Sequence, residues 1–179
     1  MTRVVLSIGS NIGDRLARLQ SVLDRLGDSV QAVSPVYETA AWGGVEQGAF
    51  LNAIVIADDP TLDGQGWLRR AQEMELAADR VRGQKWGPRT LDVDLVCCHV
   101  TSPDGDSELF SLENGLTLPH PLAHLRAFVL IPWLAVDPDA VLTVAGGTRS
   151  VARLIAELDT SDRAGVRHTD LALEPRPES

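Results

Sequence analysis

Residues 4–99 alternate between short apolar runs of strand length and longer stretches with helical spacing, and this order decides the fold class. The run Val-Val-Leu-Ser-Ile at 4–8 ends at Gly9, as expected for a buried strand followed by a turn. Asp14 is a suitable helix N-cap, and Gly27 is a suitable C-terminal stop. Between them, leucines recur at helical spacing: Leu16, Leu19, Leu23 and Leu26. The first unit is therefore a strand followed by a helix.

The next segments complete a β-α-β-β-α-β order. Strand patterns cover residues 30–37, 50–57 and 91–99, and a helical pattern covers 62–78. The apolar stripe of that helix is predicted at Trp67, Ala71, Met74 and Ala78. Two β-α-β halves joined by short connections predict an α+β fold, a ferredoxin-like sandwich with a mainly antiparallel sheet and helices packed on it.

The remaining segments are expected to extend this one unit. Residues 101–115 are polar and acidic and predict an exposed excursion, whereas the apolar run 128–136 predicts a helix despite Pro132. Ser150 is a candidate cap for a last helix. Since no linker divides the chain, we expect a single catalytic domain over 1–159 and a mobile C-terminal tail over 160–179.

Composition restricts the class of protein. The 179 residues carry a formal net charge of −9, which disfavours a nucleic-acid-binding surface. The N-terminal apolar run is too short for a signal peptide or a membrane span, so no membrane partner is expected. Cys97 and Cys98 are neighbours that would face opposite sides of a strand, which predicts reduced thiols in a cytoplasmic protein.

A basic segment followed by paired carboxylates is the strongest indication of function. Residues 80–89 read Arg-Val-Arg-Gly-Gln-Lys-Trp-Gly-Pro-Arg, with four positive charges and no negative one. Asp92 and Asp94 follow at alternate positions, so on a strand both carboxylates share one face. Guanidinium groups bind phosphate oxygens and carboxylates bind Mg²⁺, so the segment predicts a site for phosphate and a divalent metal.

These residue patterns also occur in other kinds of site. Carboxylates two apart on a strand are by themselves more often a solvated face than a metal site. His120 and His124 have the spacing of a helical zinc pair, but Pro119 and Pro121 disfavour a helix there. Neither a phosphate-binding P-loop motif nor a glycine-rich dinucleotide-binding motif is present, which excludes those two nucleotide-binding classes.

Several strings together resemble the 6-hydroxymethyl-7,8-dihydropterin pyrophosphokinase family of folate biosynthesis. The longest is Trp-Gly-Pro-Arg-Thr-Leu-Asp-Val-Asp at 86–94, and Leu-Thr-Leu-Pro-His at 116–120 is another. Ile-Gly-Ser-Asn at 8–11, Tyr-Glu-Thr at 37–39 and Phe-Leu-Asn at 50–52 match the same family. The resemblance extends over residues 4–138. It implies transfer of pyrophosphate from ATP to the pterin hydroxymethyl oxygen, with release of AMP and the use of two Mg²⁺ ions.

The resemblance also implies roles for individual residues. Asp92 and Asp94 match the metal ligands, and these two with Arg82 and Arg89 match the catalytic set. The ATP-side positions are Gln72, Glu75, Arg82, Lys85, Trp86, Arg89, Leu95, Thr117, His120 and Arg126. The pterin-side positions are Thr39, Ala40, Trp42, Phe50, Asn52 and Phe128, with the rings of Phe50 and Phe128 on either side of the pterin.

The chain departs from the family pattern at a few positions. Ala40 and Ala41 stand where relatives often have two prolines, Gly115 stands where an arginine is expected, and Pro121 replaces an aromatic residue. Two other functions stay open at this point: a binding module without catalysis, and a metal-dependent nucleotide hydrolase. The expected enzyme is a monomer that acts on small molecules.

Overall fold

Seven strands of the described chain form one antiparallel sheet, with helices packed on both of its faces. The computed structural model describes residues 2–40, 48–80 and 90–176. The strands of this sheet are β1 (Thr2–Ser10), β2 (Val30–Val33), β3 (Tyr37–Thr39), β4 (Phe50–Asp59), β5 (Asp92–Ser102), β6 (Gly105–Leu109) and β11 (Val166–His168). Small two-stranded pairs are β7 (Ser111–Glu113) with β8 (Leu116–Leu118), and β9 (Val141–Val144) with β10 (Gly147–Ser150).

The strand order is β11-β3-β4-β1-β5-β6, with β2 also paired to β4. The helices are α1 (Arg15–Leu26), α2 (Gly64–Arg80), α3 (Ala127–Val136), α4 (Val151–Ala156) and α5 (Thr160–Ala164). Strands β1, β4 and β5 and helices α1 and α2 follow the predicted β-α-β-β-α-β order, with β2 and β3 together in the place of its second strand. The predicted α+β class, a mainly antiparallel sheet with packed helices, is confirmed.

Alternation along the central strands divides the core into two layers. On β1, Val4, Leu6 and Ile8 pack in the layer that contains α1 and α2, whereas Val5 packs with α3 and α4. Because the sheet is covered on both faces, its central strands are apolar on both faces. Trp67, fully buried in the first layer, donates its indole N–H to the carbonyl of Thr2 at 3.3 Å.

Both ends of α1 and the start of α4 lie where the sequence predicts them, whereas α2 covers residues 64–80 and not the predicted 62–78. The Asp14 carboxylate accepts a hydrogen bond from the backbone N–H of Ala17 at 3.1 Å, and Gly27 ends α1 with φ of 53°. Ser150 accepts from the N–H of Arg153 at 3.2 Å and caps α4. Asp63 accepts from the N–H of Gly66 at 2.7 Å at the start of α2.

The predicted strand over 30–37 is two strands, β2 and β3. Pro35 lies between them and has no N–H to donate to a ladder. Ser34 compensates at the break, because its hydroxyl accepts from the N–H of Ile54 at 2.9 Å. The acidic excursion at 101–115 is largely exposed, as expected, but it contains β6 and β7.

Cys97 and Cys98 face opposite cores, as predicted, and both are free thiols. The pairing of β1 with β5 shifts between Val5 and Leu6, where β5 has Val96 as an extra residue. Val96 and Cys97 therefore both pack in the layer that contains α3 and α4, and β5 carries a bulge at this point. Burial raises the pKa of both thiols, that of Cys98 to about 12. Both side chains are therefore un-ionised core residues at neutral pH.

Residues 160–176 differ from the expected mobile tail. The segment forms α5 and β11, and β11 pairs with β3 at the edge of the main sheet. Farther along, the N–H of Glu174 donates to Oε1 of Gln20 on α1 at 3.1 Å. No periodicity marks β11 in the sequence, because a three-residue edge strand with two polar side chains has no apolar face. Within the described ranges, none of the helices has the length and apolar character that a membrane crossing requires.

Candidate active site

A cavity of about 860 Å³ opens on the sheet face that α3 covers. Strands β1, β3, β4 and β5 supply its floor, while the start of α3 and the turn before it form one wall. The segment of α5 and β11 forms another wall. The lining residues are Ser7, Gly9, Thr39, Ala40, Phe50, Asn52, Asp92, Asp94, Leu122, Leu125, Arg126, Ala127, Phe128, Asp162, Gly165 and Val166.

A row of three residues crosses the floor of this cavity. Gly9 on β1 pairs with Asn52 on β4 and with Asp92 on β5. Residues paired across antiparallel strands share a face, so the amide and the carboxylate both point into the cavity. Since Gly9 has no side chain, the floor between them is open over two strand spacings, about 10 Å. One ligand can therefore reach both polar groups.

Asp92 and Asp94 lie on the cavity face of β5 because Val93 and Leu95, which alternate with them along the strand, are buried on the other face of the sheet. Val93 and Leu95 pack with α1 and α2, which fixes the register of the strand. Nη1 of Arg126 lies 4.0 Å from Oδ2 of Asp94, whose side chain is 47% exposed. The carboxylates are thus held in place but accessible from the cavity.

This donor set fits a magnesium ion that arrives with a phosphate ligand. Mg²⁺ commonly binds through one or two carboxylates and completes its coordination with water and substrate phosphates. Among the described residues no group of three or more His, Cys, Asp or Glu side chains could form a closed metal cage. Asp92 and Asp94 therefore suit a metal site shared with a phosphate.

Arg126 connects the carboxylates with the aromatic side of the cavity. It precedes α3, and its guanidinium carbon lies 5.5 Å from the centre of the Phe128 ring. A guanidinium at this distance is attracted to the ring face. Its contacts with Asp94 and Phe128 place one positive charge between the two ends of the cavity.

His120 is held beside this group by backbone hydrogen bonds. Its N–H donates to the carbonyl of Val96 at the β5 bulge, at 2.8 Å. The N–H of Leu122 donates to Nδ1 of the imidazole at 3.1 Å, so the neutral ring carries its proton on Nε2. Burial lowers the pKa of His120; Asp94 opposes this shift and Arg126 adds to it. The neutral imidazole thus offers an N–H donor at Nε2.

The other end of the cavity combines an aromatic ring with a buried amide. Asn52 is 4% exposed, and its Nδ2 donates to the hydroxyl of Thr39 at 2.9 Å. This bond fixes the orientation of the amide. Phe50 lies two residues earlier on β4 and therefore on the same face. This end suits a flat heterocycle that needs stacking and an amide partner at its edge.

The structure brings together eight of the residues selected from the sequence. Thr39, Ala40, Phe50, Asn52, Asp92, Asp94, Arg126 and Phe128 all line the cavity. Five others lie outside that lining: Gln72, Glu75, Leu95, Thr117 and His120. The remaining five, Trp42, Arg82, Lys85, Trp86 and Arg89, lie outside the described residues.

The five residues outside the lining differ in their surroundings. Gln72 and Thr117 are exposed, and α2, which carries Gln72 and Glu75, covers the opposite face of the sheet. The side chain of Leu95 is 5% exposed and packs in the core with α1 and α2. Leu95 can therefore meet a ligand in the cavity through its backbone but not through its side chain.

Eight lining residues were not selected from the sequence as ligand contacts. They are Ser7, Gly9, Leu122, Leu125, Ala127, Asp162, Gly165 and Val166. Gly9 carried a usable signal, because a glycine ending an apolar strand often marks a close backbone approach. The last three come from the segment expected to be a tail, and no local pattern connects them with the site.

The chain matches the family model described as "7,8-dihydro-6-hydroxymethylpterin-pyrophosphokinase (HPPK)" over residues 5–138. A Mycobacterium tuberculosis protein named 2-amino-4-hydroxy-6-hydroxymethyldihydropteridine pyrophosphokinase is 68% identical over 168 residues, covering 93% of this chain and 89% of the relative. Proteins with the same name are 63% identical in Mycobacterium leprae, covering 100% and 95%, and 32% identical in Aquifex aeolicus, covering 79% and 84%.

Solved structures share the fold at low sequence identity. Plasmodium falciparum HPPK-DHPS wild type, crystallised with pterin and p-hydroxybenzoate, has a TM-score of 0.58 and 13% identity to this chain. The match covers 88% of this chain but 42% of that one, so the present chain spans less than half of the Plasmodium protein. This likeness concerns the fold.

Proposed function

The chain belongs to the 7,8-dihydro-6-hydroxymethylpterin-pyrophosphokinase family, and we propose that it transfers pyrophosphate from ATP to 6-hydroxymethyl-7,8-dihydropterin. The products are AMP and the pterin diphosphate, and the reaction is a step in tetrahydrofolate biosynthesis. One observation carries the proposal: a single cavity joins a carboxylate pair at one end to an aromatic and amide pair at the other. Such a cavity can hold a triphosphate and a flat alcohol together.

The reaction forms one bond and breaks one. The hydroxymethyl oxygen attacks the β-phosphorus of ATP, and the bond from that phosphorus to the oxygen bridging to the α-phosphorus breaks. AMP leaves with the bridging oxygen, and the proton of the acceptor hydroxyl is released to solvent. Transfer of this kind depends mainly on positioning and on stabilising charge at the phosphates. We therefore assign the protein's residues to those two tasks.

At the acceptor end, Phe50 and Phe128 provide faces for the pterin ring. The Asn52 amide is already oriented by Thr39, so it provides a preorganised hydrogen-bonding partner for the ring edge. Ala40 and Trp42 are assigned to the same end on the family pattern. An acceptor bound there directs its hydroxymethyl group along the open floor at Gly9 toward Asp92.

At the phosphate end, we propose that Asp92 and Asp94 hold two Mg²⁺ ions together with ATP. The ions supply charge neutralisation at the phosphates and polarisation of the acceptor hydroxyl. Arg126 lies next to this position and can donate to phosphate oxygens. His120, whose neutral imidazole carries its proton on Nε2, is assigned to the nucleotide side on the family pattern. Arg82 and Arg89 are assigned as phosphate-binding catalytic residues, and Gln72, Glu75, Lys85, Trp86, Leu95 and Thr117 as nucleotide-side residues, on the family pattern.

A product analysis tests the reaction. The protein is incubated with ATP, Mg²⁺ and 6-hydroxymethyl-7,8-dihydropterin, and the nucleotides and pterins are separated. We expect AMP and pterin diphosphate in equal amounts. A 6-methyl-7,8-dihydropterin control, which lacks the hydroxyl, should give no AMP. ADP as the product would overturn the pyrophosphate assignment, whereas AMP formed without an acceptor would indicate a hydrolase.

The remaining assignments concern the setting of the enzyme. The free thiols of Cys97 and Cys98 support a reducing compartment, and we propose a cytoplasmic location. The partners are the two small-molecule substrates, with no nucleic acid or membrane partner. The monomeric state stays a prediction, and a sedimentation measurement would test it.

A further inference from the structure

The cavity has a wall that comes from far along the chain, outside residues 5–138. Asp162, Gly165 and Val166 line it, and they belong to α5, the turn after it and β11. Val166 pairs with Thr39, and Thr39 in turn pairs with Phe50. These three residues form a second row across the sheet, so their side chains share the cavity face.

Several contacts hold β11 against β3. Nη2 of Arg167 donates to Oε1 of Glu38 at 2.8 Å, and the other oxygen of Glu38 accepts from Arg15 at 3.3 Å. The hydroxyl and the N–H of Thr169 both donate to the carbonyl of Val36, at 2.7 and 3.1 Å. The ring of His168 meets that of Tyr37 edge-on at 5.3 Å. The wall is therefore an integral edge of the sheet.

The position of β11 in the sheet determines which end of the cavity it closes. Four strand steps separate β11 from β5, through β3, β4 and β1. At the usual spacing this is on the order of 20 Å, so Val166 is remote from Asp92 and Asp94. It lies one step from Thr39, whose hydroxyl accepts from Asn52.

We propose that Val166 is a specificity-determining residue for the acceptor. Its branched side chain has few rotamers and lies on a paired strand, so it presents a rigid apolar boundary at the open edge of the sheet. That boundary limits the length of the acceptor ring system and keeps water from the Thr39 and Asn52 pair, where hydrogen bonds to the ring form. The inference rests on the proposed assignment of this end of the cavity to the pterin.

Two substitutions at one position test the boundary. In Val166→Phe the larger ring extends into the cavity, and we expect the acceptor KM to rise about tenfold or more. In Val166→Ala the half-buried side chain loses two methyl groups, and we expect a rise of about threefold. The KM for ATP should stay within about twofold in both, because the nucleotide end lies across the sheet. His168→Phe is the matched control, since it places the same phenyl ring on the same strand, at a position outside the cavity lining.

Calorimetric binding of the acceptor and of a non-hydrolysable ATP analogue, with thermal unfolding, separates the outcomes. An acceptor-selective loss at Val166 with normal behaviour of His168→Phe supports the proposal. Unchanged acceptor binding in Val166→Phe would overturn it, as would equal losses for both ligands or an equal effect of His168→Phe. If Val166→Phe does not fold, Val166→Ala decides by the same criteria. The wild-type product analysis is separate, so failure of the proposed reaction is distinguishable from failure at Val166.

Discussion

A Cβ atom on Gly9 would lie 3.0 Å from Oδ1 of Asn52 and 3.7 Å from Cδ1 of Phe50. The first distance is so short that one of the two atoms would have to move by a few tenths of an ångström, so the absence of a side chain at Gly9 leaves room for the Asn52 amide in its present position. Gly9 is also the residue between Asn52 and Asp92 in the floor of the cavity. The absence of a side chain at Gly9 therefore leaves space for the Asn52 amide and also keeps the floor open toward Asp92.

Gly9→Ala is expected to weaken acceptor binding selectively. The added methyl group displaces the Asn52 side chain by a few tenths of an ångström and occupies the floor on which the acceptor lies. We expect the acceptor Kd to rise about tenfold, which is the size of effect that overpacking produces. Calorimetry with acceptor and with ATP analogue measures this difference, and a thermal unfolding scan monitors the fold. A Kd for the acceptor equal to that of the wild type would show that this floor is not used.

The parts of the fold that could be predicted are those with a local pattern. The central strands β1, β4 and β5 are apolar and end at turn residues, while α1 has its cap at Asp14 and its stop at Gly27. The division of residues 30–37 was not predicted, although Pro35 carried the reason for it. Strand β11 could not be predicted, because its pairing with β3 depends on contacts between distant parts of the chain.

The same distinction applies to the candidate site. Asp92 with Asp94, and Phe50 with Asn52, are alternate residues on strands, so their shared faces follow from the sequence. The family pattern added Arg126 and Phe128, which lie far away in the chain. Neither strand alternation nor the family resemblance indicated three further lining residues, Asp162, Gly165 and Val166. Only the tertiary structure places them in the cavity wall.

Asp92→Asn and Asp94→Asn should each abolish most turnover while leaving the fold intact. The amide keeps the size of the side chain but loses the charge that a metal ligand supplies, and we expect kcat to fall on the order of 100-fold or more. The stability of Asp94→Asn should change little, because the Arg126–Asp94 contact is long and partly exposed. Steady-state kinetics at saturating Mg²⁺ measures the effect. Asp58→Asn is the matched control, since Asp58 pairs with Arg3 at 3.2 Å on a different part of the sheet.

Phe50→Ala should weaken binding of the acceptor more than binding of ATP. The substitution removes a ring face worth roughly 0.5–1.5 kcal/mol beyond the buried area, so about a tenfold loss is expected. Phe110→Ala is the control, because Phe110 is 60% exposed and outside the cavity lining. Binding of each ligand is measured by calorimetry. Equal losses for acceptor and nucleotide would place the pterin elsewhere.

His120 should titrate below the usual histidine range in the ligand-free and metal-free protein. Burial lowers its pKa from 6.5, and protonation would also disrupt the hydrogen bond that Nδ1 accepts from Leu122. Because Asp94 raises this pKa and Arg126 lowers it, Asp94→Asn should move the midpoint further down and Arg126→Gln should move it up. NMR titration of the imidazole protons measures all three midpoints.

As pH falls below about 6.5, the unfolded chain binds a proton that the folded chain binds less readily, so the free energy of unfolding decreases. A wild-type midpoint at or above 6.5, or shifts of the opposite sign in the two variants, would contradict the placement of His120 between these charges.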